Sequence, residues 1–197
     1  DWLPNVSVAF PWDKTQLTFS YSRKIRRPAF YELSDYSAYS APFLYNRGNP
    51  LVVPQLTDEW NALATYGPLS AAVIYSHFHK AIHDDYGLSA TDPNVIEKTL
   101  RNYADYNTLR CVLNAQTQIG KWMPKLTLTY LKPFVSGVLP TNEPSFSVEM
   151  MNQIALSDNW MVLALLNYAS RGTVREYYMN EPRSGVHLVV ARMFFNQ

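Results

Sequence analysis

Three histidines, His77, His79 and His83, lie within seven residues of chain, and Asp84 and Asp85 follow at once. Imidazole and carboxylate together are the usual ligands of borderline divalent metals. Alternate residues of a strand share a face, so His77 and His79 could both reach one ion, with His83 as a third candidate. The same spacing describes a polar strand end near an extracellular rim. That plainer reading is preferred, since only spacing supports the metal, and no metal is expected. A second group, Arg23, Lys24, Arg26 and Arg27, is the densest run of charge. Guanidinium grips carboxylate and phosphate through a two-pronged fork, so these residues could hold an anionic ligand. Charge runs more often solvate a surface, and a rim meeting anionic lipid is the plainer alternative. Tyr31, Tyr36, Tyr39 and Tyr45 could stack on a sugar or an aromatic ligand, or pack their own segment. The candidate ligand-binding residues are Arg23, Arg26, Arg27, Tyr31, Tyr45 and Arg47.

No catalytic constellation accompanies them. The chain has no Gly-x-Ser-x-Gly, no phosphate-binding loop and no His-Glu-x-x-His. Ser76 and His77 are neighbours, but neighbours on a strand point to opposite faces. An enzyme is not expected, and neither is a cofactor. The formal net charge of +1 gives no argument for a nucleic-acid partner.

The elements that must position these residues read as strands. The 197 residues suit one domain. Charged residues are 17%, below the usual quarter, and aromatics reach 14%, with tyrosine the commonest. No apolar run approaches the ~18 residues of a membrane helix. Residues 15–27 give the clearest period of two: Leu17, Phe19 and Tyr21 on one face, Gln16, Thr18, Ser20 and Ser22 on the other. Further strands are expected over 5–10, 54–66, 70–85, 95–119, 125–138, 145–156, 161–178 and 185–197, with a possible break near 102–105. Pro133 should mark a bulge or the end of regular pairing, because it has no amide proton. Residues 28–53 read as one long loop, rich in tyrosine and closed by Asn46-Arg47-Gly48-Asn49-Pro50.

Short turns near Pro11, Gly67, Gly120 and Ser157 alternate strictly with longer loops near Pro28, Tyr86, Leu139 and Met179. Trp12, Trp122 and Trp160 sit at or beside three of the four short turns. Alternating strands, short turns at one end, long loops at the other and an interfacial tryptophan belt describe a transmembrane β-barrel. A soluble sandwich or lipocalin-like barrel is the alternative. The fold class expected is all-β: an antiparallel up-and-down meander of about nine strands by the period-two count, part of a transmembrane barrel. On β-strand parity, Leu188, Val190 and Phe194 share the face of Arg192. A lipid-facing Arg at mid-depth costs roughly 2–4 kcal/mol, falling toward zero at the interface. Either that face is luminal, leaving Val189, Ala191, Met193 and Phe195 in lipid, or Arg192 lies near the rim, and the luminal side is preferred.

Tyr21-Ser22-Arg23-Lys24-Ile25-Arg26-Arg27-Pro28, Phe30-Tyr31-Glu32-Leu33 and Tyr45-Asn46-Arg47-Gly48-Asn49-Pro50, with Pro54 shortly after, resemble the barrel of TonB-dependent outer-membrane receptors. The similarity is strongest to the outer-membrane β-barrel family of gut-type Gram-negative bacteria. Arg192-Met193-Phe194-Phe195-Asn196 resembles a strand end of that family. The resemblance implies an energised importer of about twenty-two strands around a plugged lumen. It implies a Gram-negative outer-membrane location, contact with outer-membrane lipid and lipopolysaccharide, the TonB complex as partner through an N-terminal part, and a nutrient ligand such as an iron chelate, cobalamin, a glycan or a peptide. Residues 1–197 are expected to be a partial barrel domain, with plug, TonB box and final strands lying elsewhere. Two other functions stay open: a structural or adhesive outer-membrane barrel without energised transport, and a soluble ligand-binding β-barrel. A partial wall should leave its edges unpaired, giving an open curved sheet, pairing with another chain, or a small adventitious barrel.

Overall fold

The computed structural model describes residues 2–89, 92–135, 142–174 and 177–192. In chain order the elements are β1 (Asn5–Trp12), β2 (Thr15–Arg26), one helical turn α1 (Phe30–Leu33), β3 (Ser37–Ala41), β4 (Leu44–Arg47), β5 (Gln55–Tyr66), β6 (Leu69–His79), β7 (Ile82–Leu88), β8 (Ile96–Asn102), β9 (Tyr106–Gln116), β10 (Trp122–Phe134), β11 (Ser145–Ser157), β12 (Trp160–Ala169), β13 (Gly172–Val174), β14 (Tyr177–Met179) and β15 (Arg183–Arg192). Nine of them build one sheet in the order β1-β2-β5-β6-β9-β10-β11-β12-β15, antiparallel throughout. The sheet is open, with β1 and β15 at its edges.

Register fixes the two faces. Phe19 stands opposite Ala62, Ala62 opposite Val73, and Val73 opposite Cys111. The row continues through Tyr130 and Phe146. The same parity carries Leu113, Leu128, Val148 and, toward β15, Leu166 opposite Val186. This face is apolar from edge to edge. The other face carries Thr127 beside Asn114 and Glu149, and Glu149 beside Asn167. Large apolar side chains remain exposed on the first face, Phe19 at 51% and Leu188 at 67% among them. Among the described residues the buried hydrophobic side chains are Val52, Ala81 and Ile82, none of them on this face. A soluble barrel would fold such a face inward, because burying each large apolar side chain is worth about 1.5–3 kcal/mol. Here hydrocarbon is the matching solvent.

The four tight turns lie at one end of the sheet. Asp13 and Gly67 adopt left-handed backbone at φ 52° and 51°, and Gly120 at 59°. Trp12, Trp122 and Trp160 flank three of these turns and are all exposed. The other end holds the long excursions, where three expectations need correction and the possible break near 102–105 is found. Residues 28–53 are not one loop: they hold α1 and the β3–β4 hairpin. The strand expected over 70–85 breaks at Lys80, whose φ of 51° turns the chain off the wall, and β7 joins another sheet. The strand expected over 95–119 divides at 103–105 into β8 and β9, at the foreseen break. The strand expected over 161–178 ends with β12 at Ala169, and β13 and β14 form a separate small ribbon.

Pro133 marks no bulge, but it falls where regular pairing ends, since β10 stops at Phe134. It stays in register with Thr108 of β9, while pairing of β10 with β11 already stops at Leu131. The missing amide therefore falls where β11 is no longer alongside. The luminal placement of Arg192 is also overturned. Val190 pairs with Val162, Leu188 with Ala164 and Arg192 with Trp160, all on the apolar face. Arg192 sits beside the tight-turn end, its guanidinium 5.2 Å from the Trp160 ring centroid, where an amphipathic side chain can reach the interface. Met193 to Asn196 lie outside the described residues.

Candidate functional site

The two adjacent excursions, after β2 and after β6, meet in a second sheet ordered β3-β4-β8-β7. Its middle pair, β4 and β8, runs parallel, with Leu44 opposite Ile96 and Asn46 opposite Lys98. Such a pair joins segments from different excursions, so neither folds this way alone. α1 is tied to the segment that follows β4, through the Glu32 carbonyl. Pro28 precedes the turn, and the Glu32 carboxylate accepts the Ala29 amide at 2.6 Å, capping the free end of the turn.

The segment Arg47-Gly48-Asn49 is the clamp. A Cβ on Gly48 would lie 2.0 Å from the Ser34 carbonyl oxygen and 2.8 Å from that of Tyr31, so only glycine allows this approach. The Asn49 amide N–H donates to the Glu32 carbonyl at 2.7 Å. Its side-chain amide donates to the Leu100 carbonyl of β8 at 2.9 Å. Asn102 answers from β8, accepting the Val53 amide at 2.8 Å and donating to the carbonyls of Val53 and Lys80.

Between α1, β4 and β8 lies a cavity of about 450 Å³. Phe30, Tyr31, Tyr36, Arg47, Asp84 and Lys98 are among its lining side chains. The charges are already paired. Arg47 donates to Asp35 at 2.8 Å and lies 3.6 Å from Glu97. Lys98 donates to Asp84 at 2.9 Å, and this bond holds its ammonium above the usual lysine range. The aromatics are not used up: Phe30 is 89% exposed and Tyr31 74%. The cavity can therefore offer flat apolar surface for stacking, and among its lining residues are two cations, Arg47 and Lys98, each paired with an acid.

Of the six candidate ligand residues, Tyr31 and Arg47 line this cavity. Tyr45 packs edge-to-face on Tyr39, with centroids 5.8 Å apart. Arg23 and Arg26 go elsewhere. Arg23 forks onto Asp58, Nε to Oδ1 at 2.7 Å and Nη2 to Oδ2 at 2.9 Å. Arg26 donates to the Ile82 carbonyl at 3.0 Å. Lys24 pairs with Glu59 at 2.9 Å on the other face, and Arg27 lies exposed past the end of β2. Strand alternation is the cause, since it sends consecutive basic residues to opposite faces.

The histidines also separate. His77 and His79 stand together, ring centroids 4.1 Å apart, and Asp105 joins them, with one ligand atom from each lying within 4.8 Å of the others. His83 does not join: it follows the Lys80 turn into β7 and packs on Tyr103 and Tyr106. Ser76 faces Glu59 and His77 faces Asp58, on opposite sides of the sheet. Lys98 and Asp105 escaped the sequence reading. Nothing local marks Lys98, which reaches the cavity through the parallel pairing, while Asp105 sat in the expected break without any sign of its partner.

Residues 1–197 match the Outer membrane protein beta-barrel family. No curated protein matches the chain in sequence. Among solved structures, the siderophore receptor PirA from Pseudomonas aeruginosa superposes with a TM-score of 0.71 at 10% identity, over 99% of this chain and 36% of that one. The ferric enterobactin receptor PfeA gives 0.61 at 14% identity, over 99% and 33%. PirA from Acinetobacter baumannii gives 0.57 at 12% identity, over 100% and 35%. The chain thus spans about a third of the length of these receptors. Its nine-stranded order, its apolar face and the match along its whole length agree, and the chain belongs to the outer membrane protein β-barrel family, its main sheet forming wall in the Gram-negative outer membrane.

Proposed function

We propose that this wall belongs to a TonB-dependent importer, and that the cavity under α1 takes part in capturing its nutrient ligand. The observation that carries this reading is the exposed aromatic set Phe30, Tyr31 and Tyr36 around a cavity of about 450 Å³, at the end of the sheet opposite the tight turns. A binding cavity is usually apolar with a few fixed polar groups, and this one fits. Arg47 and Lys98 supply the polar groups and favour a ligand that carries oxygen acceptors as well as a flat face. The resemblance to siderophore receptors in fold agrees with such a ligand. Energy comes in this reading from the TonB complex, and lipopolysaccharide surrounds the outer rim.

The test is uptake by cells carrying the full-length protein, with ferric catecholates, ferric hydroxamates, cobalamin, oligosaccharides and peptides as ligands. Import of one class should stop when the inner-membrane proton gradient is collapsed. Tyr31→Ala should weaken its binding by about 0.5–1.5 kcal/mol, the worth of one stacked aromatic pair. Binding that Phe30→Ala and Tyr31→Ala both leave unchanged would remove the cavity from the path. A protein that supports no energy-dependent uptake of any ligand would instead be a structural or adhesive barrel.

A further inference from the structure

We infer that His77, His79 and Asp105 form a site for a borderline divalent transition metal of the zinc and nickel class, at the joint between the barrel wall and the second sheet. The inference is independent of the import reading. His77 stands opposite Asp58 on one side and Asn107 on the other, on the parity of the apolar face. It is one step beyond the aromatic row Tyr21, Trp60 and Tyr75, whose rings follow one another along the sheet, tilted by 41° and 44°, with centroids 5.3 and 5.8 Å apart. Aromatic girdles mark the membrane interface, so the cluster lies just outside the hydrocarbon.

Three features make the cluster a ligand set. Two imidazoles and a carboxylate are a donor combination that zinc and nickel accept and that calcium and magnesium, which take oxygen, do not favour. The ligand atoms already lie within 4.8 Å of one another. Zinc–nitrogen and zinc–oxygen bonds place tetrahedral ligands about 3.4 Å apart, so closing the widest gap asks for at most about 1.4 Å of side-chain motion. Finally, the His77 ring is oriented from outside the set, and the His79 ring is bonded within it. The Asn107 side-chain oxygen bonds Nδ1 of His77, and Asp105 Oδ2 bonds Nδ1 of His79 at 2.9 Å. The Asn107 oxygen on one ring nitrogen of His77 leaves the other to meet a metal, the arrangement that raises a histidine's affinity. His79 and Asp105 are 38% and 49% exposed in their side chains, so an ion can enter from water.

The site would act on the joint. Asp105 Oδ1 accepts the Lys80 amide at 2.9 Å, and the Tyr103 amide donates to the Ala81 carbonyl at 2.8 Å. These bonds tie the chain leaving β6 to the chain entering β9. A metal on His77, His79 and Asp105 would lock that tie and steady β7 and β8, which carry Asp84 and Lys98 to the cavity. The competing account is an ion-pair cluster alone, since His79 Nε2 also lies 3.4 Å from Asp58.

The test uses the full-length protein folded in detergent, stripped with a chelator and titrated with zinc and with nickel. One equivalent should bind, and cobalt should give tetrahedral ligand-field bands. His77→Ala and His79→Gln should abolish both, the second while keeping a hydrogen bond to Asp105. Asn107→Ala, which only frees the His77 ring, should weaken binding roughly 10-fold. His83→Ala should leave it unchanged. Each variant is first checked for its folded band on an unheated gel. Absence of stoichiometric zinc or nickel binding, binding that survives His77→Ala and His79→Gln, or calcium binding as well as zinc would each overturn the proposal.

Discussion

The side-chain amide of Asn49 donates to the carbonyl of Leu100 across 51 residues of sequence, and this bond ties the two excursions above the wall into one body. Removing it should loosen β8 without touching the barrel. Asn49→Ala also frees the Leu51 amide, which now donates to the Asn49 side chain at 3.0 Å. We expect opening of the β4–β8 pair to become easier by roughly 1–3 kcal/mol, the cost of leaving such groups unpaired. Gly48→Ala should do at least as much, because a methyl group there meets the Ser34 carbonyl. Amide hydrogen exchange over β4, β8 and the main sheet reads both, with protection lost in the first two and kept in the third.

The face assignment predicts an asymmetry between neighbours in β10. Leu128 sits between Leu113 and Val148, and Thr129 sits between Val112 and Ser147 on the other face. Leu128→Arg should cost roughly 2–4 kcal/mol in lipid and Thr129→Arg far less. Arg192 on the same face as Leu128 is tolerated because it lies at the Trp160 level. Urea unfolding in lipid vesicles gives the comparison, and equal losses at 128 and 129 would mean that the faces are misassigned.

Cys111 offers a chemical check of the same claim. It stands opposite Val73 and Tyr130 in the apolar row. In outer-membrane vesicles a charged, water-soluble maleimide should leave it unmodified, while a lipid-soluble one reacts. Mass spectrometry of the peptide decides, and rapid labelling by the charged reagent would place Cys111 in water.

Lys98 carries a pH prediction. Its bond to Asp84 raises its pKa above the usual lysine value. A raised folded-state pKa means that the ion pair stabilises the second sheet fully below the ordinary lysine range and is lost only as pH climbs through the higher folded value. Lys98 should therefore resist acylation in mildly alkaline buffer longer than solvated lysines do, and Asp84→Asn should abolish that delay. Rates read by peptide mass spectrometry that show no difference between the two proteins would mean that the pair does not form in solution.

The wall was legible because its signal is local. In β2 each second residue, Leu17, Phe19, Tyr21, already states which side faces hydrocarbon, and the tight turns with their tryptophans fix the direction of every strand. The nine-strand count and the pairing of neighbours follow from that, since a meander pairs what the chain brings next. The residues above the wall were not legible in the same way. Residues 28–53 lack a period because their strands are short and pair with a segment some fifty residues on, in a parallel register that no local pattern encodes. The Asn46 to Pro50 motif was visible as a dense turn, yet only the tertiary structure shows why Gly48 must lack a side chain.

The candidate sites divide along the same line. Composition and spacing marked Arg23, Arg26, Tyr31, Arg47, His77 and His79 as chemically capable. Strand alternation then sent Arg23 to Asp58 on one face and Lys24 to Glu59 on the other, so the basic cluster never assembles. The left-handed turn at Lys80 carried His83 away from His77 and His79, and the return of the chain put Asp105 in its place. Sequence by itself determined which side chains could meet lipid, ligand or metal. Only the tertiary structure decided which of them meet one another, because that depends on contacts between segments far apart in the chain.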